Sequence, residues 1–350
     1  MSSAGGGGRW KGLLDYELPS ELIAQEPAPH RQDSRLLVLD RRSGALTHAR
    51  FRDIGAFLPP RALLVANDSR VLRARLRGHK QGSGGAVELL VLGLGDGHRA
   101  PALSRSSKGL SHGQTIELAH GIVVRVQGPV ERGRCLLDFS PLAVEEVLER
   151  IGEIPLPPYI ERPGGPRSQD HERYQTVYAQ APGSVAAPTA GLHFTEELLS
   201  QLREHGFELA TVTLHVGPGT FVPVRGSIDE HEMESESFTI LPGAAAAVAA
   251  ARAEGRAVVA VGTTTVRALE SAADEGGVLA TGASATRLFI RPGHRFRVVD
   301  AMVTNFHLPG STLLALVMAL AGREAIERAY EEAIAERYRF YSYGDAMLIR

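Results

Sequence analysis

Cysteine is nearly absent: Cys135 is the only one in 350 residues. No intrachain disulfide can form, and no thiolate cluster can hold zinc or an iron–sulfur centre. Lysine occurs only at Lys11, Lys80 and Lys108, so the positive charge is carried by arginine, whose planar fork suits phosphates and purines. A biased gene composition gives the same preference. A strong excess of either charge is also missing. The formal net charge of −2 excludes a globally basic nucleic-acid coat but leaves room for a local basic face. The longest apolar run, 313–321, falls well short of the roughly 20 residues that a bilayer requires. The Gly/Ser stretch at 1–8 lacks the basic end and apolar core of a signal peptide. No membrane partner is expected, and the expected location is cytoplasmic. Neither G-x-G-x-x-G nor G-x-x-x-x-G-K-[ST] occurs, so neither a dinucleotide nor a nucleoside triphosphate is implied.

The length accommodates two domains of ordinary size. Short apolar runs at 71–76, 86–92, 99–103, 114–118, 122–126 and 134–139 are separated by Gly-rich turns. Asp96-Gly97 is a hairpin signal, since both central residues of such a turn take positive φ. Several short strands with no helix between them predict a small antiparallel barrel. On either side, helix and strand signals alternate. A short helix at 19–24 and a strand at 36–39 come first. Thr195 reads as an N-cap ahead of Glu196 and Glu197, and helices at 244–253 and 323–339 flank a strand at 257–261. The expected fold class is α/β: a discontinuous α/β domain, 1–66 and 152–350, interrupted by an inserted small antiparallel β-barrel domain, 67–151. The Pro-rich run 155–159 reads as the return linker.

Polar turns at strand ends carry the functional signal. Gly262-Thr263-Thr264-Thr265 ends one apolar run and opens a helix containing Arg267 and Glu270, so its free N–H groups and hydroxyls face any anion lodged there. The same arrangement recurs at Thr304-Asn305-Phe306-His307 ahead of Ser311-Thr312, and a related turn holds His215 before Gly217-Pro218-Gly219. Open α/β sheets bind ligands at strand ends, which predicts an enzyme's cleft here; helix capping alone accounts for a Gly/Thr turn equally well. His193, His215 and His307 match no zinc spacing, and no metal is expected. They read as proton carriers or hydrogen-bonding groups, or else as buried structural histidines. Glu270, about two turns into its helix, is either an inward general base or a solvated acid. Arg70, Arg73, Arg75 and Arg77, with His79 and Lys80, form a basic strip in which alternate positions of a strand share a face. The strip fits a phosphate backbone or a plain solvated surface. Arg339 and Tyr341 belong to a C-terminal run of arginines and aromatics that either stacks on unpaired bases or packs against the core.

Longer segments carry a resemblance: Gln25-Glu26-Pro27, Asn67-Asp68-Ser69-Arg70, Tyr174-Gln175-Thr176-Val177-Tyr178, Pro188-Thr189-Ala190-Gly191-Leu192-His193, Asn305-Phe306-His307-Leu308-Pro309 and Tyr343-Gly344-Asp345. In order and spacing, from about residue 14 to 349, the chain resembles the S-adenosylmethionine:tRNA ribosyltransferase-isomerase family of queuosine biosynthesis. The resemblance implies an α/β domain with an inserted barrel. It also implies S-adenosylmethionine as co-substrate, no metal, and transfer and isomerisation of its ribosyl group onto 7-aminomethyl-7-deazaguanine at the tRNA wobble position. The products implied are epoxyqueuosine-tRNA, adenine and methionine. Within the matched regions the catalytic candidates are His215, His193, His307, Glu270 and Asp68, with Glu26 and Asp345 as further carboxylates for a sulfonium cation. The co-substrate candidates are Gly262, Thr263, Thr264, Thr265, Arg267, Thr189, Gly191 and Asn305. Those for tRNA are Arg70, Arg73, Arg75, Arg77, Lys108, Arg339 and Tyr341. A monomer is expected.

Two departures reduce positive charge in loops that would face tRNA: Glu232 and Glu234 stand where members usually carry basic residues, and Gly109 where arginine is common. Two rival readings make different predictions. An S-adenosylmethionine-dependent RNA methyltransferase would release S-adenosylhomocysteine and normally carry a Gly-rich loop after its first strand, which is lacking. A non-catalytic tRNA-binding protein would bind without consuming S-adenosylmethionine.

Overall fold

The computed structural model describes residues 15–221, 228 and 231–350. β1 (Arg35–Leu39) and β2 (Leu46–Arg50) form an antiparallel hairpin. β3 (Leu63–Asn67), buried at every position, leads through β4 (Ser69–Val71) into β5 (Arg75–Lys80), β6 (Ala86–Val91), β7 (Arg99–Arg105), β8 (Thr115–Leu118), β9 (Val123–Glu131) and β10 (Arg134–Asp138). The last six close into an antiparallel barrel in the order β10-β7-β6-β5-β8-β9. Leu76, Leu89, Ala102, Ile116, Val124 and Leu137 fill its interior, following the period of two of a half-buried strand. One expectation changes. The run at 71–76 is not a single strand, because β4 pairs with β11 (Ala181–Ser184) and Leu72 N–H donates to Ser184 O at 2.9 Å.

After the barrel, α1 (Val144–Ile151) packs Val144, Val147 and Leu148 onto the barrel core, and α2 (Ser168–Arg173) follows the return run. The remaining elements are α3 (Glu196–Glu204), β12 (Glu208–Leu214), β13 (Glu236–Ile240), α4 (Pro242–Ala253), β14 (Val258–Val261), α5 (Thr263–Ala272), β15 (Gly282–Thr286), β16 (Ala301–Asn305), α6 (Thr312–Ala321), α7 (Arg323–Ala335) and β17 (Ala346–Ile349). Thr195 caps α3 as expected, its hydroxyl accepting Leu198 N–H at 3.1 Å. Together with β1 to β3 these strands build a nine-stranded sheet, β15-β13-β12-β3-β14-β16-β17-β1-β2.

β12, β3, β14 and β16 run parallel. Core clusters cover both faces of these strands, which is why they read as nearly continuous apolar runs. From β3 the chain goes first to β12 on one side and later to β14 on the other, so the strand order reverses there and leaves a crevice at the C-terminal edge. β17 runs antiparallel to β16, pairing Ala346 with Asn305, and so its first residue lies at that same edge. The helix expected at 323–339 stops at Ala335. Arg337 takes φ 56, which ends the helical ladder and sends Tyr338 and Phe340 into the core. Among the described residues no helix is long and apolar enough to cross a membrane.

Candidate functional site

A cleft partly open to solvent lies at the C-terminal edge of the parallel strands. Its wall is built from Gly262, Thr263 and Thr264 after β14, Thr304, Asn305, Phe306 and His307 at the end of β16, Ser311 before α6, and Pro188, Thr189 and Ala190. Tyr159 and Tyr341 complete it, with ring centroids 4.8 Å apart and planes 56° apart. Gly262 has φ 90 and ψ 155, a backbone region essentially restricted to glycine. This turn starts α5 abruptly: Val266 N–H is the first to reach a helical acceptor, Gly262 O. The amides of Thr263, Thr264 and Thr265 remain outside the helical ladder, at its positive end. Asn67 ties the strand ends together. Its Nδ2 donates to Leu214 O at 2.9 Å and Thr264 Oγ1 at 3.3 Å, while its Oδ1 accepts from Leu214 and Ser69 N–H, each at 3.0 Å.

His307 lines the cleft, with Nε2 2.7 Å from Thr304 Oγ1. The Thr304 hydroxyl donates to Asn305 O at 3.3 Å, so its oxygen accepts from Nε2–H, which leaves Nδ1 without a proton. Burial pushes the His307 pKa down to about 3. His193 stands behind the wall. Asn305 Nδ2 donates to Tyr341 O at 3.1 Å and His193 Nε2 at 3.2 Å. The His193 Nδ1–H therefore goes to Ser34 Oγ at 2.9 Å, and the Ser34 proton to Arg31 O at 3.3 Å. Burial first, then the charges of Arg339 and Arg31, lower its pKa to about 3. This relay fixes the amide of Asn305, whose Oδ1 is buried without a partner among the described residues.

His215 directly follows β12, beside the wall residue Val216. Its ring packs against Gly183, and Nδ1 has no hydrogen-bond partner among the described residues. Burial lowers its pKa, opposed by the charge of Asp68. The Asp68 carboxylate accepts the Thr213 hydroxyl at 2.6 Å. Asp68 and His215 thus form a second group next to the cleft, where the chain departs for the barrel.

Several expected site residues lie elsewhere. Glu270 faces away from the cleft and accepts the N–H groups of Arg297, Val298 and Val299 at 2.9, 3.0 and 3.0 Å. Burial alone would raise its pKa, but His294 and these amides outweigh it and hold the carboxyl below its ordinary value. It fastens a loop and is neither an inward base nor a solvated acid. Arg267 is buried against Glu236 and donates to Leu288 O at 3.1 Å. Thr265 Oγ1 donates to Val261 O at 2.8 Å. A Cβ on Gly191 would stand 2.0 Å from the Tyr178 hydroxyl, so that glycine permits close packing. Glu26 pairs with Arg167 at 2.6 Å, and Asp345 accepts Arg339 N–H at 2.8 Å and Arg35 N–H at 2.9 Å. No carboxylate named from the sequence lines the cleft.

The basic strip is also engaged. Arg73 donates to Gly152 O at 2.8 Å and Glu149 O at 3.0 Å, Arg75 to Leu156 O at 3.1 Å, and Arg77 pairs with Glu153 at 3.3 Å. They pin the segment returning from the barrel. Arg70 and Lys108 are exposed, the Lys80 ammonium donates to Gly109 O, and Arg339 reaches Glu26 O at 3.3 Å. Tyr341 is in the cleft wall instead of on an open surface. Glu234, one of the two acidic departures, pairs with Arg134 of the barrel. Sequence reasoning missed Tyr159, Asn67 and Ser34. Tyr159 carried a local cue, as an aromatic closing a Pro-Pro run, and Asn67 stood in a segment that carries the family resemblance without being named for the site. Among the described residues no three His, Cys, Asp or Glu side chains are grouped as a metal site.

The chain matches the family described as queuosine biosynthesis protein over residues 12–349. It is 55% identical over 342 residues to the S-adenosylmethionine:tRNA ribosyltransferase-isomerase of Anaeromyxobacter sp. (strain Fw109-5), covering 96% of this chain and 97% of that one. The protein of the same name from Symbiobacterium thermophilum is 51% identical over 339 residues, covering 96% and 98%. A crystal structure of an S-adenosylmethionine tRNA ribosyltransferase from Thermotoga maritima shares 35% identity with a TM-score of 0.55, over 97% of this chain and all of that one.

Proposed function

This chain belongs to the queuosine biosynthesis protein family, and from that membership we infer how its cleft carries out the family's reaction. The protein is a transferase that moves and isomerises the ribosyl group of S-adenosylmethionine onto tRNA. The acceptor is 7-aminomethyl-7-deazaguanine at the wobble position, and adenine and methionine leave. A sulfonium acidifies the adjoining 5′-carbon, so a modest base suffices to take a proton there.

The roles of the residues follow from their placement. The amides of Thr263, Thr264 and Thr265 at the positive end of α5 hold the methionine carboxylate. Tyr159 and Tyr341 offer an aromatic wall to the purine. His307 is the proton acceptor. Its low basicity suits only an activated proton, and its Nδ1 is bare in the tautomer that Thr304 imposes. Asp68 and His215, beside the cleft, receive the incoming aminomethyl group and relieve it of its proton. Residues 67–151 act as one inserted unit that carries part of the tRNA contact through Arg70 and Lys108.

One observation supports this reading above the others: free amides at a helix start, a tyrosine pair and a neutral histidine share one cleft at the C-terminal edge of the sheet. Adenine release, with tRNA bearing the aminomethyl base, is the direct assay. In the His307→Gln variant it should slow by about 10²–10⁴-fold, with S-adenosylmethionine affinity nearly unchanged. An unaltered rate would remove His307 from the chemistry. S-adenosylhomocysteine as the product would support the methyltransferase reading instead.

A further inference from the structure

With the barrel strip engaged by the return segment, an excess of arginine gathers in a different place. A groove of about 1690 Å³ opens at the edge of the sheet opposite the cleft, where β14 and β16 begin and β1 and β17 end. Six arginines and two aspartates line it. Arg256 is matched by Glu254 at 2.7 Å and Glu208 at 3.2 Å, and Arg350 approaches Asp40 at 3.8 Å. The other acid, Asp300, accepts the backbone N–H of Val258 at 2.8 Å, and its charge, with that of Asp40, also acts on Arg41.

That leaves Arg41, Arg42, Arg252 and Arg297 with no carboxylate in ion-pair contact among the described residues. Three of the four are held by backbone carbonyls: Arg41 by Leu320 O at 3.1 Å, Arg252 by Gly277 O at 2.7 Å and Arg297 by Ala273 O at 2.9 Å. A carbonyl orients a guanidinium without cancelling its charge, and the fork keeps further N–H groups free. Pre-oriented, mutually repelling cations around one groove form a receptor for closely spaced negative charges.

We propose that this groove binds the phosphodiester backbone of the substrate tRNA, away from the base being modified, an inference that rests on the tRNA reading above. Arg42 makes no side-chain hydrogen bond or ion pair among the described residues, so Arg42→Glu reverses its charge without breaking a contact of the fold. With the full-length enzyme, tRNA affinity of Arg42→Glu should fall about tenfold at low salt, and the slope of log affinity against log salt should flatten by about 1. S-adenosylmethionine affinity should stay the same. In the wild-type enzyme, bound tRNA should protect Arg42 and Arg252 from phenylglyoxal, read by mass spectrometry. Equal reactivity with and without tRNA, or an Arg42→Glu affinity and slope equal to wild type, would overturn the proposal. Protection by millimolar inorganic phosphate but not by tRNA would overturn the RNA assignment. A wild-type enzyme that fails to bind tRNA at all sinks the functional reading as well, whereas unchanged binding in the variant removes the groove alone.

Discussion

His193 and His307 are buried without a carboxylate to hold a proton, and each is neutral down to about pH 3. In the unfolded chain a histidine takes up its proton below about 6.5. The unfolded state therefore binds more protons as pH falls from about 6.5 to about 3, and stability is lost across that window, by up to roughly 1.4 kcal/mol per pH unit for each histidine. Urea unfolding at pH 7 and pH 5 should show the loss, and His193→Gln should reduce its slope. A slope identical to wild type would mean that His193 is not held neutral. Glutamine can accept from Asn305 and donate to Ser34, so S-adenosylmethionine affinity should survive His193→Gln and drop in His193→Ala. Because His307 stays neutral, the rate of adenine release should show no acid limb near pH 6.5 from this residue.

The elements around the cleft depend on a few interactions at their ends. Gly262 turns β14 into α5 at a φ and ψ that other residues adopt only at a cost of order 1–3 kcal/mol. Gly262→Ala should lower the melting temperature and also weaken S-adenosylmethionine binding, since strain there moves the Thr263 and Thr264 amides. An affinity unchanged from wild type would place the carboxylate elsewhere. At the far end of α5, Glu270 holds the 297–299 loop through three amides. Glu270→Gln should cost roughly 2–4 kcal/mol in stability, as one acceptor becomes a donor facing N–H groups, while adenine release per folded molecule persists. Arg73, just before β5, reaches the carbonyl of Glu149 in the last turn of α1 and that of Gly152 after it. Arg73→Ala should therefore destabilise the return segment and leave the salt dependence of tRNA binding unchanged, and a flatter slope would restore its expected role in tRNA contact.

At the scale of the whole molecule, two polar sites occupy opposite edges of one sheet. Parallel strands put all their C-terminal ends, with the helix N-termini that follow, on one side. The opposite side receives the strand starts and the arginines that cap loose carbonyls there. The antiparallel return of β17 brings Tyr341 and Ser342 to the cleft edge, and the chain leaving the barrel brings Tyr159 beside them.

What was legible without coordinates depended on short-range signals. The α/β alternation, the barrel of short strands, the Thr195 cap and the polar turns at Gly262, Thr304 and Asn305 each follow from residues within a few positions of one another, where propensity and period act. The direction of Glu270, the engagement of Arg73, Arg75 and Arg77, the partners of Arg267 and the presence of Tyr159 in the cleft had no such local trace. Each is decided by contacts between segments far apart in sequence. Burial likewise sets the protonation state of a histidine, and burial is a property of the assembled neighbours. The amino-acid order alone determined which elements form and where their polar ends fall. Only tertiary packing decided which polar groups are consumed in holding those ends together and which are left to meet a ligand.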